Sequence, residues 1–230
     1  MRPPRFHRRF DYNRALLPNP VLAELEEGVA DIETAKRRSG LTIGYPGWGL
    51  LYYATLCSLD PDRENLILET GSNLGCSTIV LGQALADSGA RGAVHTIEID
   101  PSTASRARAN IERAGLSSRV TLHEGDSKAV LPGLLEKARS VRVAFLDGSH
   151  DATDIRREFE LVEARMQARG IVSFDNTANL SEAGEDPRVH GVLREIVGAR
   201  RGQLVNFEFV SWHTPGIAVW QKDPLSESAG

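Results

Sequence analysis

Two short strings end apolar runs with acidic residues: Phe145-Leu146-Asp147-Gly148-Ser149-His150 and Ser173-Phe174-Asp175-Asn176. If the runs are neighbouring parallel strands, about 4.8 Å apart, Asp147 and Asp175 leave adjacent C-termini and can share one cation. Asn176 adds a neutral oxygen. Two carboxylates and an amide, without cysteine or paired histidines, suit Mg²⁺, Mn²⁺ or Ca²⁺ better than Zn²⁺. Successive strand residues point to opposite faces, so Asp175 and Asn176 can both ligate only where the strand has already turned. Either aspartate alone reads as a loop-capping carboxylate, and the trio at two strand ends favours the cation. His150 stands three residues beyond Asp147. An imidazole with its ordinary pKa near 6.5 suits taking a hydroxyl proton near neutrality, although a loop histidine is as often structural or solvated.

The string Glu69-Thr70-Gly71-Ser72-Asn73-Leu74-Gly75-Cys76-Ser77 offers different chemistry. It is a glycine-containing turn from an apolar run into a helical stretch, and in open α/β sheets ligands lie at such turns. Gly71 and Gly75 permit close backbone approach, the helix N-terminus presents unpaired N–H groups to an anion, and Ser77 adds a hydroxyl donor. The spacing alone also serves as a plain tight turn. Two more run ends extend the pattern. HTIEID brings Glu98 and Asp100 beside the turn, where a carboxylate accepts both hydroxyls of a ribose, and HEGDS brings Asp126 or Ser127 towards an adenine. Asp100 before Pro101 reads equally as a helix cap. Three such turns in order point to a nucleoside ligand. The turn lacks G-x-G-x-x-G, which disfavours a nicotinamide oxidoreductase.

These residues need elements to hold them. From Asn65 onward, β-rich runs alternate with amphipathic stretches, the pattern of βαβ units around a parallel sheet. The runs are NLILET, GAVHTIEI, RVTLHEG, VRVAFLDG, GIVSFDN, QLVNFEFV and GIAVWQK. Ala104, Ala107, Ile111 and Ala114 make one buried helix face, closed by Gly115. Ile155, Phe159, Val162 and Met166 make another, closed by Gly170. Only a turn with Thr214, Pro215 and Gly216 separates the last two runs, which predicts an antiparallel hairpin. Upstream, a helix is expected over 20–38, then a loop at LTIGYPGWGLLYYATL because of Gly44, Pro46, Gly47 and Gly49. Residues 1–64 then form a basic arm, helix and lid on a main domain of 65–223, with a flexible tail at 224–230. His95 and His123 read as satisfied sheet residues, His190 as packing at a helix start, and Cys76 as a small buried side chain.

The arrangement ETGSNLGCS, HTIEID, EGDS and FLDG resembles class I S-adenosylmethionine-dependent methyltransferases, from about residue 41 to the final hairpin. Within them it is most similar to catechol-type and related small-molecule O-methyltransferases. The resemblance implies an α/β, Rossmann-like, doubly wound sheet of seven strands, mostly parallel with a C-terminal antiparallel hairpin, and S-adenosyl-L-methionine as methyl donor. It puts Gly71, Asn73 and Ser77 at the methionine end, Glu98 at the ribose and Ser127 beside the adenine. With their neighbours, the expected donor-binding set is Glu69, Gly71, Ser72, Asn73, Gly75, Ser77, Glu98, Asp126, Ser127 and Asp147. It also implies that Asp147, Asp175 and Asn176 hold the divalent ion, Mg²⁺ before Mn²⁺ or Ca²⁺, that positions an acceptor hydroxyl. His150 matches the catalytic lysine position of catechol-type enzymes, and DGSH resembles the D-G-x-H of a group that includes antibiotic-tailoring methyltransferases. Ser149 replaces a tryptophan of the catechol type and Ala152 an aromatic of the D-G-x-H group, so catechol specificity does not follow. His150 and Asp147 are the expected catalytic residues, and a metal-free enzyme with His150 as base is the alternative. A non-catalytic binding module would leave Asp147, Asp175 and Asn176 unexplained.

Composition sets the outer bounds. With 41% hydrophobic and 25% charged residues, the 230-residue chain has ordinary globular values. Its 27 Lys and Arg against 31 Asp and Glu give −4, so no bulk positive field draws a phosphate backbone. No N-P-P-Y motif of nucleic-acid methylation is present either. Two cysteines make no disulfide framework, and MRPPRFHRRFDYNR precedes no apolar run, so a cytoplasmic protein is expected. The longest apolar stretch, near 49–57, is too short to span a bilayer. The expected partner is a small hydroxylated acceptor, with no nucleic acid or membrane and with homo-oligomerisation left open. Acceptor-side candidates are Tyr45, Pro46, Gly47 and Trp48, the 177–188 connection, and Trp212 with His213.

Overall fold

The computed structural model describes residues 17–29, 32–40, 44–138, 140–177, 189, 191–193, 195–196, 202–208 and 216–224. The basic arm over 1–16, the 178–188 connection, His190, Trp212, His213 and residues 225–230 lie outside the described residues.

The strands are β1 (Asn65–Thr70), β2 (Gly92–Glu98), β3 (Val120–Glu124), β4 (Val141–Leu146), β5 (Met166–Asp175), β6 (Gly202–Glu208) and β7 (Gly216–Lys222). They form one seven-stranded sheet in the order β3-β2-β1-β4-β5-β7-β6. β1 to β5 pair in parallel, and β7 lies antiparallel between β5 and β6. This is the parallel sheet ending in an antiparallel pair that the seven runs predict, and the Rossmann-like arrangement that the resemblance implies. The order reverses at β1, whose neighbours are β2 and β4, and such a switch point opens a crevice beyond the strand C-termini. Register aligns the rim of that crevice: Thr70 pairs with both Ile97 and Leu146, and Leu146 with Phe174. Glu98, Asp147 and Asp175 each come one residue later.

The helices are α1 (Pro20–Glu26), α2 (Ile32–Arg38), α3 (Gly44–Ser58), α4 (Cys76–Ser88), α5 (Pro101–Arg113), α6 (Ser127–Lys137) and α7 (Ala152–Glu163). Three of them start on a capping aspartate at the crevice. Asp100 accepts the Thr103 N–H (2.7 Å), Asp126 the Lys128 N–H (2.9 Å) and Asp151 the Thr153 N–H (2.9 Å). A cap of this kind stabilises a helix by about 1 kcal/mol. One sheet face packs on Trp48, Leu51, Ile79 and Leu81, and the other on Leu131, Phe159, Val192 and Ile196. Phe159 meets the Trp220 ring edge-on at 5.1 Å, in a region where each buried large side chain contributes about 1.5–3 kcal/mol. Among the described residues, no helix is long and apolar enough to cross a membrane.

Three sequence expectations give way. The helix expected over 20–38 is two helices, parted near Gly28, whose φ of 70° is left-handed. The loop expected around residues 44–49 is the start of α3. Pro46 falls in its first turn, where no acceptor waits for the missing N–H, and interior glycine costs about 1 kcal/mol against Ala. Full burial of Trp48 and Leu51 outweighs that cost. It also removes Trp48 from the acceptor-stacking candidates. Gly170 and Met166 end no helix, because both lie in β5; a Cβ on Gly170 would stand 2.6 Å from Met166 Cγ.

Candidate active site

A cleft of about 730 Å³ opens over the C-terminal ends of β1 to β5. Its first half comes from the turns after β1, β2 and β3. Gly71 adopts φ 80°, and a Cβ there would stand 2.5 Å from the Asp147 carbonyl oxygen. Only glycine lets the β1 and β4 turns touch. Asn73, at φ 46°, donates its backbone N–H to Glu98 Oε2 (2.7 Å), while the Asp100 N–H reaches Glu98 Oε1 (3.0 Å). Glu98 is 8% exposed and lines the cleft, and each oxygen keeps a lone pair for a ligand hydroxyl. Asp126 and Ser127 line the wall beyond it. Asn73 also lines the cleft, with its side-chain amide tied to the Gly40 carbonyl.

Four expected donor contacts lie below this surface. Glu69 is fully buried, takes the Thr78 hydroxyl and lies against Ser77; burial pushes its carboxyl above the ordinary range. Ser72 and Ser77 are 1% and 2% exposed. Gly75, at φ 85°, starts α4 beside Ala107, where a Cβ would come 3.3 Å from the Ala107 carbonyl oxygen. These four support the turn from beneath, because the chain bends into α4 and carries them inward. Cys76 is likewise buried, and burial raises its thiol far above the ordinary value. Asp100 caps α5 and is held down to about 2, first by the Ser102 hydroxyl and then by Thr103. His95 and His123 stack at 5.2 Å in the sheet, with Nδ1 and Nε2 2.9 Å apart.

The second half comes from the ends of β4 and β5. Asp147 and Asp175 both line the cleft there. Burial pushes both carboxyls well above the usual range; Glu69 adds to the effect on Asp147, and Asp147 to that on Asp175. Asp175 Oδ1 is buried without a hydrogen-bond partner. Asn176 adopts φ 55°, so the chain has turned and both residues reach the cleft. Its Nδ2 donates to His150 Nε2 (2.7 Å), and that nitrogen stands 3.9 Å from Asp147 Oδ1. The His150 side chain is 47% exposed. Among the described residues, no three His, Cys, Asp or Glu side chains gather as a metal cluster. Two carboxyls with one orphaned oxygen, beside an amide, nevertheless fit a hard cation better than they fit each other.

Sequence reasoning missed several cleft residues. Ile99, 66% exposed, follows Glu98 on the rim; an apolar residue between two acids was its only signal. Gly40 arrives from the end of α2, and no local pattern points to it. Lys128 holds Asp154 at 3.0 Å on the outer wall.

A family described as "Methyltransferase domain" matches residues 68–177, the stretch from β1 through β5. The catechol O-methyltransferase of Niastella koreensis is 32% identical over 133 residues, covering 56% of this chain and 58% of that protein. The chain thus spans less than two thirds of the length of that curated relative. The O-methyltransferase TomG from Streptomyces achromogenes, solved in complex with SAM, superposes with a TM-score of 0.70 at 23% identity, over 88% of this chain and 89% of that one. A putative O-methyltransferase from Klebsiella pneumoniae gives 0.71 at 24%, over 91% and 93%. At such identities these two show a shared fold. The stretch from β1 through β5 is thus similar to a methyltransferase domain, and the chain is similar in sequence to a catechol O-methyltransferase.

Proposed function

We propose that this protein moves the methyl group of S-adenosylmethionine onto a hydroxyl oxygen of a small molecule, assisted by a divalent cation, Mg²⁺ before Mn²⁺ or Ca²⁺. The observation that carries this reading is the Asp147 and Asp175 pair, with Asp175 Oδ1 orphaned, in the same cleft as Glu98. Two carboxyls side by side, Asp175 buried and Asp147 partly so, are eased by a shared proton or a cation. Asp147, Asp175 and the Asn176 carbonyl oxygen would hold that cation. When bound, it supplies Lewis acidity that lowers the acceptor hydroxyl's pKa.

The chain's own residues do the rest. Glu98 accepts the ribose hydroxyls, and the Gly71 and Gly148 turns lie close enough to shape a narrow seat for the sulfonium. The S–CH₃ bond breaks as the O–CH₃ bond forms in line, and S-adenosylhomocysteine leaves as a thioether. The hydroxyl proton goes to His150 Nε2 or to water. For His150 to take it, the imidazole must exchange the Asn176 amide for the acceptor oxygen, since Asn176 now occupies the Nε2 lone pair. The net charge of −4 supports a small acceptor rather than a nucleic acid. Cys57 and Cys76 are both free, which supports a cytoplasmic setting.

A second reading keeps the donor and dispenses with the cation, leaving His150 as base; its half-exposed imidazole on the cleft wall favours it. The test is methyl transfer from labelled donor to a panel of phenols, catechols and sugars, with and without chelator. The expected result is turnover lost in chelator and restored by Mg²⁺, with S-adenosylhomocysteine binding unchanged. Full turnover in excess chelator leaves the His150 reading. Binding of NAD(H) but not of S-adenosylhomocysteine would sink both.

A further inference from the structure

Glu158 is 3% exposed on α7, and the reaction proposed above makes no use of it. Its Oε2 accepts the Thr70 hydroxyl at 2.9 Å and its Oε1 the Ser127 hydroxyl at 2.6 Å. Thr70 ends β1, next to Gly71, and lies under the β4 turn, where a Cβ on Gly148 would stand 3.1 Å from Thr70 Cβ. Ser127 starts α6 and lines the far wall of the cleft. One carboxylate thus joins the floor beneath the Gly71 turn to the wall facing the nucleoside end.

We propose that Glu158 is a positioning residue for the methyl donor: through Ser127 and Thr70 it sets the separation between the wall at 125–128 and the Gly71 turn, without touching the donor. The inference rests on the S-adenosylmethionine reading of the cleft. Glu158 falls on the apolar stripe of α7, at i+3 from Ile155 and beside Phe159, where a packed hydrocarbon would serve stability at least as well. A buried acid that accepts a hydrogen bond from each of two hydroxyls, one at the end of β1 and one at the start of α6, serves geometry instead. Burial raises its carboxyl, and the Ser127 and Thr70 hydroxyls pull it back, so both bonds favour the ionised form. Charge-assisted bonds are short and directional, which suits a strut between two turns.

The test is calorimetry with S-adenosylhomocysteine. Glu158→Gln, which keeps the shape but loses one acceptor oxygen, should raise Kd about tenfold. Ser127→Ala should do the same, and the double variant should be no weaker than either single one, because both break one path. Thr70→Ser should bind like wild type and Thr70→Val like Glu158→Gln, a rescue that general destabilisation would not produce. Wild-type affinity in Glu158→Gln, or multiplying effects in the double variant, would overturn the proposal. Should Glu158→Gln fail to fold, Thr70→Val and Ser127→Ala read the same contacts with the carboxylate in place, and wild-type affinity in both overturns it. A wild-type chain that binds no S-adenosylhomocysteine overturns the donor reading along with this one; a binding wild type with an unaffected Glu158→Gln overturns this one alone.

Discussion

At the ends of β2 and β3, the cleft's carboxylates already receive backbone N–H groups: Glu98 from Asn73 and Asp100, and Asp126 from Lys128. At the ends of β4 and β5, Asp147 and Asp175 face each other, and although the Asn176 backbone N–H lies against Asp175, Asp175 Oδ1 has no partner. Backbone amides are fixed donors, so they satisfy a carboxylate oxygen from within the folded chain. Two facing carboxylates cannot do that for one another. On the proposed reading, the donor half is therefore complete in the folded chain, whereas the acceptor half would be completed by whatever neutralises the pair. Substitutions in the two halves should fail differently: turnover without affinity on one side, affinity on the other.

The largest effect should come from Asp175→Ala. It removes one of two carboxyl ligands, and a Lewis-acid contribution of several kcal/mol corresponds to about 10³-fold in turnover. S-adenosylhomocysteine affinity should stay near wild type, and a matching loss of affinity would erase the distinction between the halves. Next comes His150→Gln, with a kcat lower by about 10² and donor affinity intact if the imidazole takes the proton. Near-wild-type kcat would assign the proton to water and leave His150 as the partner of Asn176. On the donor side, Glu98→Ala should cost about 1–3 kcal/mol of S-adenosylhomocysteine affinity by calorimetry, the range for charged hydrogen bonds. Unchanged affinity would remove Glu98 from the site.

The smallest effect lies under the donor half. Burial lowers the pKa of both His95 and His123, with the opposite imidazole adding to it for His95 and Lys137 for His123. The unfolded chain then binds protons more readily, so this contribution is full above about pH 6.5 and is lost as pH falls from there through the lowered folded-state pKa values. Thermal melts of a His95→Gln, His123→Gln variant should show a shallower decline in Tm from pH 7 to pH 5 than wild type. An equal slope would exclude the pair as the cause.

The start of α5 was legible, because Asp100 before Pro101 acts on its own next turn; Asp126, read as an adenine contact, caps α6 in the structure, and Asp151 caps α7 in the same way. The strands were legible for the same local reason, alternation or unbroken apolar runs, and with them the acids at their C-terminal ends. Glu158 left a readable signal too, an acid on the buried stripe of α7. The start of α3 was hidden by its glycines and proline, since what makes it a helix is burial against the sheet and α4.

The amino-acid sequence by itself determined the order of elements, their caps and which residues stand at strand ends, since these depend on neighbours one to four residues away. The tertiary structure alone decided which of those residues face the cleft. Glu69, Ser72, Gly75 and Ser77 share a turn with Gly71 and Asn73, yet they end beneath it, because each residue of a strand or helix turns its side chain to a new direction. It also decided that Asp147 and Asp175 meet, and that Asn176 joins them through a left-handed φ of 55°. Those are contacts between strands 28 residues apart, set by sheet register and packing.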